Sequence, residues 1–195
     1  MRVKEGVILF QDEHLKRLEN SLNNEEDIKR EFYLDCDALL EEAGVHNANI
    51  KYSLFKAAEG WQRIVHYVKS YYPTEEMYEN GVAAKSVLFN RENPNRKYMT
   101  NQLDLLRQQI VKEDIFDFIC FNEEQRILEG TKTNIFFMIG NSIYTAPDSE
   151  VLGGITRKVI CEALDSLTTA LPNDLEIKSN SLELKLQAKI GRAHV

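Results

Sequence analysis

Three groups of residues in this chain combine into one kind of chemistry. Glu129 is a carboxylate that precedes an apolar segment, and Gly153-Gly154 precedes a segment with the pattern of a helix. A helix that starts after glycine attracts anions, because its free backbone N–H groups and its dipole favour negative charge. Lys97, upstream in Asn-Pro-Asn-Arg-Lys, supplies an amine. A carboxylate, a phosphate seat and an amine together are what a protein needs to hold pyridoxal phosphate.

Each of these groups would have its own task. The amine must be desolvated, because a lowered pKa lets it attack the cofactor aldehyde. Lys97 follows Pro94 at a predicted junction between two lobes, and pockets favour such junctions. A carboxylate such as Glu129 keeps the pyridine nitrogen protonated, which makes the ring an electron sink. Further hydroxyl and amide groups follow Glu129 at the same strand entrance, at Thr131, Thr133 and Asn134. These residue types are equally typical of ordinary turns.

Two arginines lie close to these elements in the sequence. Arg17 stands in His-Leu-Lys-Arg-Leu at residues 14–18, and an arginine can clamp a phosphate with two hydrogen bonds. On an amphipathic helix, however, an arginine by default faces solvent. Arg157 falls in the first turn of the helix after the glycine pair. We predict that its side chain is solvated.

The elements that must position these residues are predicted from apolar periodicity. Helices are predicted over residues 11–22, 25–43, 102–113 and 155–167. Two short strands are predicted within residues 1–10, and further strands over 49–55, 62–72, 82–89, 115–121, 126–128, 134–139 and 142–144. A tight turn is expected at Gly140-Asn141. Helices between groups of strands are typical of an α+β fold, and Glu129 would stand at the entrance of the strand over 134–139.

The predicted domain organisation has two lobes. An N-terminal α+β lobe covers residues 1–90, a linker covers 91–96, and a C-terminal cofactor-binding lobe covers 97–188. Residues 181–188 have a helical pattern without a terminator, and residues 189–195 are interpreted as a non-native tail. Because the opening strand pair needs partner strands, we expect both lobes to be incomplete and the natural chain to extend beyond both ends.

Composition narrows the function classes. The chain has 195 residues, 43% of them hydrophobic and 28% charged, which is ordinary for a soluble globular protein. A net charge of −7 argues against a general nucleic-acid or membrane-surface binder, since both need a basic face. The three cysteines are scattered and the histidines lack ligand spacing. We therefore expect reduced thiols, no metal site, no membrane segment and a cytoplasmic protein.

These motifs resemble those of the class IV, or fold-type IV, pyridoxal-phosphate enzymes. That family includes branched-chain aminotransferases, D-amino-acid aminotransferases and 4-amino-4-deoxychorismate lyases. The resemblance runs from about Val3 to Ala188. It rests on Lys97 and on three motifs: His-x-x-Arg-Leu at 14–18, Glu-Gly-x-x-x-Asn-Ile-Phe at 129–136 and Gly-Ile-Thr-Arg at 154–157.

The resemblance implies a two-lobe fold-type IV architecture and a role for each matched residue. Lys97 is implied to be the catalytic Schiff-base lysine, which also moves the proton of the substrate α-carbon. Glu129 is implied to be the partner of the pyridinium nitrogen. The other implied cofactor-binding residues are Arg17, Thr133, Asn134, Ile155 and Thr156. Because family members place their active sites near a subunit interface, a homodimer is implied too.

The expected activity is that of an aminotransferase, with an amino acid and a 2-oxo acid as its small-molecule partners. A branched-chain substrate is the first expectation, because the visible lining is apolar and weakly basic and that activity is common in the family. The alternative is a 4-amino-4-deoxychorismate lyase that makes 4-aminobenzoate and pyruvate. Gln102 stands where the branched-chain enzymes have a tyrosine, and Asn101-Gln102 replaces the Asn-Arg pair of the lyases. A further alternative is an inactive or non-catalytic chain with a degenerate site.

Overall fold

The structure is a computed structural model that describes residues 1–23, 27–69, 71–139, 142–170 and 176–178. The chain divides into two compact units, one from Met1 to Tyr72 and one that begins at Pro73. The predicted helical segment 181–188, the tail 189–195 and the turn at Gly140-Asn141 lie outside the described residues.

The first unit is an antiparallel sheet with two helices. Its elements are β1 (Arg2–Lys4), β2 (Val7–Ile8), α1 (Gln11–Leu22), α2 (Lys29–Ala43), β3 (Ala48–Ala57) and β4 (Gly60–Val68). The strands lie in the order β2-β1-β3-β4. Both helices contribute buried side chains to one core with the sheet, built around Val3, Leu15, Phe32 and Ile50. This core fixes the helix α1, which carries Arg17.

Most bounds in this unit agree with the sequence prediction, with two corrections. Helix α2 begins at Lys29 and not at residue 25, because the Asp27 side chain accepts the Lys29 N–H at 3.2 Å and so competes with the helical pattern. Strand β4 ends at Val68 and not at Tyr72, because its partner β3 begins at Ala48 and the ladder ends there. The predicted stop of α2 at Gly44 is confirmed, since that residue has φ of 58° and donates its N–H to Leu40.

The second unit contains two three-stranded sheets. Its elements are α3 (Glu75–Asn80), β5 (Ala84–Leu88), α4 (Asn101–Glu113), β6 (Asp117–Phe121), β7 (Ile127–Gly130), β8 (Phe136–Ile139), β9 (Ser142–Thr145), α5 (Ile155–Ala170) and β10 (Glu176–Lys178). The sheet orders are β5-β6-β7 and β10-β9-β8. Because β5 pairs in parallel with β6, it belongs to this unit, and the segment 91–96 lies within the same unit. The two-lobe bounds and the linker stay a prediction.

Helix α4 joins β5 to β6 and covers their sheet. Its buried residues Leu103, Leu106 and Ile110 pack with Phe118 and Cys120 of β6. The Thr100 side chain caps the helix by accepting the Leu103 N–H at 3.2 Å. Helix α3 and strand β10 were not among the predicted elements, and α3 is a short polar helix without an apolar face to reveal it. Within the described ranges, each helix is too short or too polar to cross a membrane.

Candidate active site

Glu129 lies inside strand β7, directly before its last residue, and not at the entrance of the next strand as predicted. Strand β8 begins only at Phe136, and Glu129 forms an isolated antiparallel bridge with Asn134 across the intervening turn. All four residues of β7 are buried, including the glutamate, which is 6% exposed. The sequence prediction was wrong here because a glutamate followed by glycine is typical of a turn, whereas tertiary contacts bury this one.

The β6–β7 pair has an irregular register at this point. Ile119 pairs with Gly130 and Phe121 with Ile127, so that two steps along β6 oppose three along β7. Such a β-bulge changes the direction in which side chains of the longer strand point. The irregularity spans Leu128 and Glu129, and it accompanies the burial of both.

Three donors from the described part of the chain reach the Glu129 carboxylate. Arg91 Nε donates to Oε1 at 2.6 Å in an ion pair whose side chains are only 11% and 7% exposed. Oε2 accepts from Asn134 Nδ2 at 3.3 Å and from the Leu152 N–H at 3.2 Å. Burial raises the pKa of Glu129, and Arg91 and the Leu152 N–H act in the opposite direction. Arg91 was not predicted as a site residue.

Asn134 joins Glu129 to the glycine segment. Its Nδ2 also lies 3.3 Å from the Leu152 carbonyl oxygen, so that Glu129 and Asn134 together hold both backbone polar groups of Leu152. A β-carbon at Gly154 would overlap the Asn134 side-chain oxygen, which explains a glycine at this position. The Gly154 carbonyl accepts the Lys158 N–H at 2.9 Å and so starts helix α5.

Helix α5 begins three residues after Leu152, whose N–H donates to Glu129. The predicted anion-binding helix N-terminus therefore follows closely in the chain on a residue that contacts the carboxylate. Ile155 is buried and Thr156 is exposed at this helix end. The first N–H groups of a helix have no partner inside it, and they are available to an anion. The structure thus brings together four of the predicted site positions: Glu129, Asn134, Ile155 and Thr156.

Asp117 is a second buried carboxylate that the sequence prediction missed. It is 5% exposed and lies in the segment that was predicted as a plain apolar strand. Its oxygens accept from the hydroxyl groups of Thr131 at 2.5 Å and Thr133 at 3.0 Å, and from three backbone N–H groups. Thr133, predicted to lie close to the cofactor, thus donates its hydroxyl to a carboxylate. A charged residue within an apolar strand was the signal that could have indicated this role.

Two further arginines hold backbone carbonyl groups around the site. Arg107 Nη2 donates to the Thr131 carbonyl at 2.8 Å, and burial lowers the pKa of Arg107. Arg157 is 6% exposed, so the prediction of a solvated side chain is wrong. It donates to the Ala146 carbonyl at 2.6 Å and pairs with Asp148, because the first turn of α5 directs it toward the segment after β9.

Lys97 and Arg17 are placed differently from these residues. Lys97 is exposed in the segment between β5 and α4, whereas the prediction was a desolvated amine. Its neighbours Arg96 and Tyr98 line a cavity of about 130 Å³ together with Arg91. Arg17 belongs to the first unit, where its Nη2 lies 3.2 Å from His14 Nδ1 and burial lowers its pKa. The roles of both residues stay predictions.

The residues of the second unit fit a pyridine nitrogen and a phosphate group. A carboxylate offers about four lone-pair positions, and the described residues supply three donors to Glu129, which is compatible with one more donor such as a ring N–H. At the helix start, Gly154 has no room for a side chain on the face toward Asn134. The Glu129 carboxylate is an acceptor suited to a protonated nitrogen, and the N–H groups at the start of α5 are donors suited to an anion.

Comparison with known proteins identifies the family of this chain. The chain belongs to the amino-transferase class IV family, whose profile matches residues 1–178. This is a family of enzymes that use pyridoxal phosphate, and it includes aminotransferases and lyases. The class that was predicted from the motifs is thereby confirmed. No curated protein sequence matches the chain significantly.

Solved structures of this family share the fold. A protein provisionally assigned as a 4-amino-4-deoxychorismate lyase, from Legionella pneumophila, matches with a TM-score of 0.73 and 20% identity over 95% of this chain and 72% of its own. A branched-chain amino acid aminotransferase of T.th., solved with pyridoxamine 5'-phosphate, matches with 0.72 and 20% over 91% and 65%. The 4-amino-4-deoxychorismate lyase of Pseudomonas aeruginosa matches with 0.71 and 15% over 94% and 72%. The predicted fold-type IV architecture is confirmed.

Proposed function

We propose that this chain is an aminotransferase that binds pyridoxal 5'-phosphate and moves an amino group between an amino acid, of branched-chain type in the first instance, and a 2-oxo acid. The observation that carries the proposal is the buried Glu129 carboxylate, which Asn134 joins to the glycine segment before α5. It supplies an acceptor for a ring nitrogen and a seat for a phosphate within one unit of the chain.

Each residue of the site has a task in this reaction. Glu129 accepts the N–H of the pyridine nitrogen, and Arg91 favours the ionised form of that carboxylate against the effect of burial. When bound, the cofactor supplies the electron sink for the charge that develops at the substrate α-carbon. The backbone N–H groups of Ile155 and Thr156 bind the phosphate. Lys97 would hold the cofactor through its amine and, once the incoming amino acid displaces it, would move the proton at the substrate α-carbon.

Four assignments in this proposal rest on sequence patterns and on the resemblance to the family. Arg17 would clamp the phosphate, Thr133 would lie near the cofactor, two chains would form a homodimer, and the substrate would be a branched-chain amino acid. The lyase reaction is the second candidate, because lyase structures match this fold as well as the aminotransferases do. Both reactions begin with the same proton at the α-carbon, so residues around Glu129 serve either one.

An absorption spectrum tests the cofactor proposal. Pyridoxal 5'-phosphate added to the purified chain should give a visible band that borohydride removes, and Lys97→Ala should abolish it. Lys85→Ala is the matched control, since Lys85 is an exposed lysine of the same unit that pairs with Glu113. If Lys97→Ala keeps the band, the lysine assignment is wrong. If the unaltered chain gives no band, the proposed function is wrong.

Product assays separate the candidate reactions. The chain with cofactor is incubated with a branched-chain amino acid and a 2-oxo acid, and separately with 4-amino-4-deoxychorismate. Exchange between amino and 2-oxo acids supports the aminotransferase, and 4-aminobenzoate supports the lyase. A chain with the visible band that forms neither product is a cofactor-binding protein without either activity. Light scattering with and without cofactor tests the homodimer.

A further inference from the structure

We propose that Asp117 is a positioning residue that holds the Glu129 carboxylate and, through it, the start of helix α5 in place. This inference rests on the proposed function for its meaning in catalysis. The structural part of the inference depends only on contacts among described residues of the second unit. No motif that matched the family includes Asp117.

The first step is the number of donors that Asp117 satisfies. Oδ1 accepts from the Phe118 N–H at 2.9 Å, from the Thr131 N–H at 3.1 Å and from the Thr131 hydroxyl at 2.5 Å. Oδ2 accepts from the Lys132 N–H at 3.2 Å and from the Thr133 hydroxyl at 3.0 Å. Five donors on one buried carboxylate tie the first residues of β6 to each of three successive residues of the turn.

The second step is the tightness of that turn. Gly130 donates its N–H to the Thr133 carbonyl at 2.8 Å, which closes the turn on itself. A β-carbon at Gly130 would overlap the Thr133 hydroxyl and the Asp117 carboxylate. Arg107 adds a hydrogen bond to the Thr131 carbonyl from outside. The turn therefore has little freedom as long as the carboxylate is present.

The third step leads from the turn to the site. Glu129 and Asn134 flank the turn and form a bridge with each other. Asn134 Nδ2 reaches both the Glu129 carboxylate and the Leu152 carbonyl, and the Leu152 N–H donates to Glu129. A change in the turn would move Asn134 and Glu129 apart, and the Leu152 N–H would then lose its acceptor.

Amide hydrogen exchange in the chain without cofactor tests this inference by two-dimensional NMR. In Asp117→Asn, an amide group replaces one oxygen, and its N–H₂ cannot accept from the donors on that side. We expect at least one of the Thr131 and Lys132 amides, and also the Leu152 amide, to exchange on the order of tenfold faster, which corresponds to about 1.4 kcal/mol and is the order of one lost hydrogen bond. The Phe89 amide, which donates to Phe121 in the same unit, should be unchanged.

Two controls define the outcomes. Asp35→Asn alters a carboxylate that accepts from Tyr52 and Arg63 in the first unit and should leave the Leu152 amide unchanged. Thr133→Val removes one donor and keeps the carboxylate, and it should accelerate Leu152 exchange less than Asp117→Asn. If the turn amides accelerate and Leu152 does not, Asp117 holds only the turn and the inference fails. Equal acceleration of the Phe89 amide means a loss of overall stability and overturns the inference as well.

A cofactor titration keeps this inference separate from the proposed function. Asp117→Asn should weaken the binding of pyridoxal 5'-phosphate on the order of tenfold, since the acceptor for its ring nitrogen is displaced. If the unaltered chain binds no cofactor while the Leu152 amide responds to Asp117→Asn, the proposed function fails and the positioning role stands. If the chain binds cofactor and Asp117→Asn binds it equally well with an unchanged Leu152 amide, only the positioning role fails.

If Asp117→Asn does not fold, Thr133→Val decides alone. A faster Leu152 amide with an unchanged Phe89 amide then supports the inference, and an unchanged Leu152 amide overturns it.

Discussion

Removal of the Arg91 side chain tests whether the Glu129 carboxylate is held in the ionised form. In Arg91→Met, the cation that donates to Oε1 at 2.6 Å is lost, while a side chain of similar length fills the space. Glu129 keeps Asn134 and the Leu152 N–H as donors on its other oxygen. The variant therefore leaves a buried carboxylate with partial hydrogen bonding and without its paired cation, and only the weaker Coulombic effect of Arg157 still favours the ionised form.

The expected loss of stability follows from the burial of the pair. Both side chains are about one-tenth exposed or less, and removal of one partner of a buried pair costs about 3 to 5 kcal/mol. Because two donors to Glu129 remain, we expect the lower end, about 3 kcal/mol at pH 7.5. For a chain of this size, that loss lowers Tm by about 6 to 12 °C.

The loss should depend on pH in a defined direction. Burial raises the pKa of Glu129 above its ordinary value of 4.5, and Arg91 opposes that rise. A carboxyl whose pKa is raised in the folded state favours folding below its ordinary pKa, and this contribution is lost as pH rises through the raised value. Without Arg91 the pKa rises further, so the variant should be closer to the parent near pH 5 than at pH 7.5.

Urea denaturation followed by circular dichroism at both pH values measures these differences. Arg63→Met is the matched control, because Arg63 also donates Nε to a carboxylate, at 2.9 Å, in a pair that is 39% and 28% exposed. That exposed pair should contribute at most about 1 kcal/mol. In addition, Glu129→Gln in the Arg91→Met background should restore most of the loss, since it removes the unpaired charge. If Arg91→Met costs no more than Arg63→Met, or costs the same at both pH values, the reasoning about a buried ion pair is refuted.

Two further predictions concern packing and thiol reactivity. Gly154→Ala should lose about 1 to 3 kcal/mol in thermal denaturation, because its β-carbon overlaps the Asn134 side chain, whereas Gly153→Ala has open space and should stay within about 0.5 kcal/mol of the parent. Equal melting temperatures for the two variants would contradict the close approach. Burial raises the pKa of Cys120 to about 12, so iodoacetamide at pH 8 should alkylate it far more slowly than the partly exposed Cys161, as measured by peptide mass spectrometry over time. Equal labelling rates would contradict the burial of Cys120.

The sequence was a sufficient guide where the signal is local. Helix α1 has the predicted bounds of Gln11–Leu22, and α4 begins within one residue of its predicted start, because apolar spacing and the Thr100 cap are properties of adjacent residues. The glycine at 154 also marked the start of α5 correctly. Motifs of this kind were enough to identify the family.

The errors arise where the deciding contact is distant in the chain. Glu129 was placed at a strand entrance because its partner Arg91 stands 38 residues earlier, and no local pattern joins the two. A charged residue is buried only where the fold supplies partners for it. Arg157 was expected in solvent because its partners, the Ala146 carbonyl and Asp148, cannot be read from the helix pattern.

The two buried carboxylates of the second unit differ in the lone-pair positions that they have left. A carboxylate has about four such positions. Asp117 has five donors, three of them backbone N–H groups, and it is saturated. Among the described residues, Glu129 has three donors, one of them a buried cation, which is one fewer than the positions it offers. A saturated carboxylate can only hold structure, whereas a charged and incompletely satisfied one can bind a further donor, because burial without a partner is costly. The count therefore supports the framework role proposed for Asp117 and the ligand-facing role proposed for Glu129.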